Sequence, residues 1–92
     1  MTVRWSPTAL RDLESLRAYI SADSPNSAAA TVERILAGID TLTRHPLIGR
    51  SGRIPGTREL IVTPYVVAYA IGKDAIEVLA VLLGAQRWPD AF

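Results

Sequence analysis

Tyr65-Val66-Val67-Ala68-Tyr69-Ala70-Ile71, then Gly72-Lys73-Asp74, then Ile76-Glu77-Val78-Leu79-Ala80-Val81-Leu82 is the stretch that decides the fold. Two runs of β-branched and aromatic residues on either side of a short turn predict an antiparallel strand pair. Thr57 to Val62 also reads as extended, and Pro64 separates it from Tyr65, so a third strand joins the meander. Upstream, residues 46–56 hold Pro46, Gly49, Gly52, Pro55 and Gly56, a density of turn residues that predicts a loop.

Before that loop the period changes from two to 3.6. Ser6-Pro7 and Ser24-Pro25 each offer an N-cap followed by a first-turn proline, and both predict helix starts. The first helix carries Ala9, Leu13, Leu16 and Ile20 on one face and ends near Asp23. The second carries Val32, Ile35, Leu36, Ile39 and Leu42 and stops before Pro46. Val3 and Trp5 alternate with polar neighbours, which predicts a short opening strand. The expected class is α+β in the order β-α-α-β-β-β, a helical hairpin packed on a small antiparallel sheet. One domain spans residues 1–92.

Composition limits the function. Cysteine is absent and His45 is the sole histidine, so neither a disulfide framework nor an ordinary zinc or haem site is expected, and no cofactor or metal is assigned. No run of about 18 apolar residues suggests a membrane span, and the opening residues lack a signal-peptide layout, so the expected location is the cytoplasm. Net charge is only +1. Its distribution is uneven: residues 1–40 hold four arginines against five acids, whereas residues 41–58 hold Arg44, Arg50, Arg53 and Arg58 and no acid. Nine of the ten basic residues are arginine, suited to planar or bidentate contacts, although codon composition gives the same bias.

Hydrophobic residues make up 49% of the chain, more than so small a domain can readily hide. Along the last two strands both faces are apolar, and one helical hairpin covers only one of them. Two readings stay open: the second face is covered by a partner or by the C-terminal tail, or the sheet curls round its own core.

Several short motifs occur in a fixed order: Val3-Arg4-Trp5-Ser6, Ala9 with Asp12-Leu13, Tyr19-Ile20, Pro46 with Gly49-Arg50, Gly56-Thr57-Arg58-Glu59-Leu60, Tyr65-Val66-Val67-Ala68-Tyr69, and Gly84-Ala85-Gln86-Arg87-Trp88-Pro89. Together they resemble the RelE/ParE family of bacterial toxins, more ParE-like than RelE-like, over nearly the whole chain. The resemblance implies the toxin of a type II toxin–antitoxin system, neutralised in a hetero-oligomer by a ParD-like antitoxin that itself contacts operator DNA. It also implies one of two targets, DNA gyrase for ParE-like members or mRNA on the ribosome for RelE-like ones. A non-toxic binding module on the same fold is the third possibility.

Metal-free RNA cleavage needs a base, an acid and cations for the developing phosphorane. Arg58 and Arg87 stand where RelE-like members carry cations, but the tail reads Trp88-Pro89-Asp90-Ala91-Phe92 where a Tyr or His is expected, and indole transfers no proton at neutral pH. Family members often have His just before the Gly-Ala stretch, and this chain has Leu83. His45, at a helix C-terminus, is explained by the dipole there. A pI near 8.2 also gives little general attraction for RNA.

No catalytic residue is therefore assigned, and the expected action is non-enzymatic gyrase poisoning. The candidate target-binding residues are Arg50, Arg53, Arg58, Arg87 and Trp88, for which pairing of Arg58 with Glu59 and packing of Trp88 on the sheet are the structural alternatives. The candidate antitoxin-binding residues are Leu10, Leu13, Leu16, Leu36 and Ile39, in an outer groove of the hairpin, with extension to the strands left open.

Overall fold

A computed structural model describes residues 1–92. The elements run β1 (Thr2–Trp5), α1 (Pro7–Ser21), α2 (Pro25–Leu42), β2 (Arg50–Ser51), β3 (Arg58–Val62), β4 (Tyr65–Ile71) and β5 (Ala75–Leu83). Both helix starts follow from their caps: the Ser6 hydroxyl accepts from the Ala9 amide at 3.0 Å, and the Ser24 hydroxyl from the Ser27 amide at 3.2 Å. Each is followed by proline at the first helical position, where no donor is lost.

The sheet order is β1-β5-β4-β3-β2. Strands β3 to β5 form the expected antiparallel meander, with Leu60 opposite Val67 and Val67 opposite Val81, and β2 adds to its edge. Two features differ from the expectation. The sheet is mixed, because β1 lies parallel to β5 with Trp5 opposite Val78. Alternation in a four-residue strand marks its faces but not its direction. The second difference is β2, two residues inside the segment read as loop, where Arg50 pairs with Glu59 and Ser51 with Arg58. A two-residue strand has no period to detect.

One sheet face carries the helical hairpin. Ala9, Leu16, Ile35 and Ile39 pack on Tyr65, Val67, Val78 and Val81, and beside them Leu42 packs on Tyr69 and Ile76. Asp12 fixes the hairpin to the sheet, its carboxylate accepting from the Val81 amide at 3.0 Å. This contact lies past the end of β1, where β5 presents an open edge. The Ser6 hydroxyl donates to the Leu79 carbonyl at 3.0 Å, and the Leu83 amide donates to Gln86 Oε1 at 2.7 Å, so side chains cap this edge.

The far face is smaller. Ala68, Ala80 and Leu82 cluster there with Trp88 laid against them. The tail therefore covers part of the second apolar face, one of the two readings left open by the sequence. A register shift lets β5 serve both layers: Tyr69 opposes Val78 while Ala68 opposes Ala80, leaving Leu79 as the extra residue. Val78 and Val81 consequently share the helix side, and Ala80 turns to the other, which simple alternation places with Val78.

Candidate functional site

The far face carries the densest group of polar side chains. Glu59, on β3, lies on the same side as its cross-strand partner Ala68 and is only 2% exposed. Arg50, directly opposite on β2, donates to Glu59 Oε1 from Nε at 3.1 Å and from Nη2 at 2.9 Å. The other carboxylate oxygen accepts from the Arg53 amide at 2.9 Å and from Arg53 Nε at 3.3 Å. The Arg53 guanidinium then stacks over the Trp88 ring, 3.5 Å from its centroid. Glu59, Arg53 and Trp88 thus link the sheet, the glycine-rich loop and the tail.

Burial by itself would push the Glu59 carboxyl up. The Arg53 amide and the guanidinium groups of Arg50 and Arg53 outweigh it, and the net effect holds the carboxyl below its ordinary value. Both arginines keep about half of their side-chain surface in solvent while one edge is held by the carboxylate. Pre-orientation of this kind lowers the entropy lost on binding a partner.

The five target-binding candidates divide. Arg50, Arg53 and Trp88 converge on the far face. Arg58 does not join them and does not pair with Glu59, because adjacent strand residues point to opposite sides. It donates instead to the Gly49 carbonyl, at 2.6 Å from Nη2 and 3.1 Å from Nε, and to the Leu47 carbonyl at 3.1 Å. Arg87 is exposed on the tail.

The antitoxin-binding candidates divide as well. Leu10 and Leu36 project from the hairpin, 53% and 43% exposed, and Leu13 is half-buried. Leu16 and Ile39 belong to the core under the helices, Ile39 wholly so, while Leu16 reaches the surface only at the floor of a hollow beside α1. Sequence spacing placed them on the apolar stripe but did not distinguish the stripe's centre from its flank. What it missed is the part played by Tyr19 and Leu83 in a depression of about 260 Å³ between α1 and β5, lined by Asp12, Leu16, Tyr19, Tyr65, Val81 and Leu83 among others. Tyr19 and Leu83 are exposed apolar residues there. The signal was present in Leu83, an aliphatic at the end of a strand already apolar on both faces.

No three His, Cys, Asp or Glu side chains stand close enough to hold a metal ion, and no helix is long and apolar enough to cross a membrane. A helical hairpin on one face of a small mixed sheet, with an arginine–carboxylate–tryptophan cluster on the other, defines a small α+β protein. Residues 3–88 match the sequence model described as the ParE toxin of the type II toxin–antitoxin system parDE. The chain belongs to the ParE toxin family.

The chain is 44% identical over 89 residues to a Sinorhizobium fredii protein bearing the toxin name Y4kP, covering 95% of this chain and 92% of that one. It is 29% identical over 84 residues to toxin RelE2 of Caulobacter vibrioides, covering 91% and 96%. Its fold matches a chain of the chromosomal ParDE system from P. aeruginosa with a TM-score of 0.78 at 23% identity, covering 90% of this chain and 95% of that one. It also matches a chain of the Mycobacterium tuberculosis RelBE2 toxin–antitoxin complex, with a TM-score of 0.63 at 31% identity and coverage of 89% and 95%.

Proposed function

We propose that this toxin acts in the cytoplasm by poisoning DNA gyrase and is neutralised by a ParD-like antitoxin. The observation that carries the reading is how the cations are used. A phosphoryl-cleaving site needs cations free to meet developing charge. Here Arg50 and Arg53 are held by Glu59, Arg53 is stacked on Trp88, and Arg58 is bonded to two backbone carbonyls. Tyr65 and Tyr69 lie in the core, and the Tyr69 hydroxyl is bonded to the chain between α2 and β2. The arrangement suits a protein contact surface better than RNA chemistry. Membership of the ParE family supports the same choice.

The likeness to toxin RelE2 and to the RelBE2 complex keeps a second reading, a ribosome-dependent mRNA endoribonuclease. Supercoiling and cleavage assays with purified gyrase, run beside cell-free translation, separate the two. The proposal expects supercoiling to stop and translation to continue. Scission of mRNA on the ribosome with gyrase unaffected would replace it with the second reading.

The antitoxin segment, disordered when free, is expected to order against Leu10, Leu36 and half-buried Leu13, and along the depression at Tyr19 and Leu83. Hydrogen exchange with and without the antitoxin peptide should show protection in α1, α2 and the end of β5. Unchanged exchange there would remove this surface from the proposal.

A further inference from the structure

Leu47 and Ile48 are the most exposed large aliphatic residues of the chain, at 68% and 61%. They stand side by side in the link from α2 to β2, between Pro46 and Gly49. Such residues in a loop ordinarily belong to a slack segment, but this loop is fixed to the sheet on both sides of the pair. The hydroxyl of fully buried Tyr69 donates to the Pro46 carbonyl at 2.7 Å and accepts from the Gly49 amide at 3.0 Å. Arg58 holds the Leu47 and Gly49 carbonyls, and the Ile48 amide donates to the His45 carbonyl at 3.1 Å. Gly49 lies so close to the sheet that a Cβ there would stand 2.7 Å from the Tyr69 ring and 2.9 Å from the Glu59 carbonyl oxygen.

These bonds spend a buried phenol and a guanidinium on the backbone around two side chains that bury little of themselves in the free chain. The conformational entropy of the loop has therefore been lost before any partner arrives, the condition under which an apolar contact yields the most affinity. The surroundings describe that partner. Residues 40–59 contain four arginines against Asp40 and Glu59, and the Glu59 charge faces inward. Arg44 and Arg50 flank the pair in sequence, held on one side by Asp40 and Glu59 and each with more than half of its side chain still exposed. Phosphates would engage the arginines but gain nothing from two aliphatic tips, whereas an apolar socket rimmed by carboxylates engages both.

We propose that Leu47 and Ile48 form a preformed knob that seats in a carboxylate-rimmed apolar socket on the protein target of this toxin. The proposal rests on the reading that the target is a protein, and it names the part of the toxin that enters it. Replacing both residues, Leu47→Ala with Ile48→Ala, removes the knob and leaves the core untouched. In the full-length chain the double variant should lose about tenfold or more in potency against gyrase supercoiling and should no longer arrest growth. Its melting temperature and its affinity for the antitoxin should match the wild type.

A double variant that arrests growth as strongly as the wild type would overturn the knob. So would loss of antitoxin affinity, with or without loss of potency, because the pair would then belong to the antitoxin surface. If the wild type arrests growth without touching supercoiling, gyrase is wrong, and the knob is judged on growth arrest alone. A wild type that does neither overturns both.

Discussion

Glu59 is the only buried charged side chain, and its two oxygens are shared between Arg50, Arg53 and the Arg53 amide. Glu59→Gln keeps the shape but exchanges an acceptor oxygen for a donor facing a cation or an N–H. It should cost about 1–2 kcal/mol at neutral pH, read by urea denaturation, the exposure of both arginines keeping the figure modest. The pH dependence follows from the lowered folded-state value. The unfolded chain takes up a proton near 4.5, above the folded value, so the contribution is complete at neutral pH and is lost as pH falls below 4.5 and through the folded value. The variant should therefore show a shallower loss of stability in that acid range, and an unchanged slope would contradict the assignment. At this scale the sequence was half legible. The sequence shows residues 41–58 to be rich in arginine, and Arg50, Arg53 and Trp88 are linked through Glu59 and the Arg53 guanidinium. Arg58 could not be separated from them, because adjacency to Glu59 says nothing of which face each occupies until the strand's pairing is known.

The loop between α2 and β2 is an element without regular structure of its own, and Tyr69 substitutes for the missing ladder. Tyr69→Phe keeps the ring in its cluster with Leu42 and Ile76 and removes only the hydroxyl, leaving the Gly49 amide and the Pro46 carbonyl without that partner. A stability loss of about 1–2 kcal/mol is expected, with faster amide exchange confined to residues 46–50. Arg58→Ala should loosen the same loop through the Leu47 and Gly49 carbonyls, lowering toxicity without disturbing the cluster at Glu59. Arg87→Ala, made on an exposed residue, should lower toxicity with no loss of stability if Arg87 meets the target. Helices and long strands were legible here because serine–proline caps and apolar periodicity are local signals. The mixed sheet, β2 and the extra residue at Leu79 were not, since strand direction, a two-residue pairing and a bulge depend on what lies opposite.

Across the whole molecule, the tail closes what the helices leave open. With only 92 residues there is one hairpin for two apolar sheet faces, and Trp88 supplies cover for Ala68, Ala80 and Leu82 while its ring takes the Arg53 guanidinium. The contacts that Trp88 makes in the protein are those of its ring, its indole N–H having no protein partner. That distinction can be tested. Trp88→Phe keeps an aromatic face for Arg53 and removes the unpaired donor, and stability should stay within about 1 kcal/mol of the wild type. Trp88→Ala uncovers the three aliphatic residues and ends the stack, costing about 2 kcal/mol and increasing the binding of a hydrophobic dye. Toxicity should follow the same order if the far face meets the target, because loss of the ring frees both the tail and Arg53. Equal stability in the alanine and phenylalanine variants would mean that the tail adds nothing to the fold, and the far face would then need a partner to cover it.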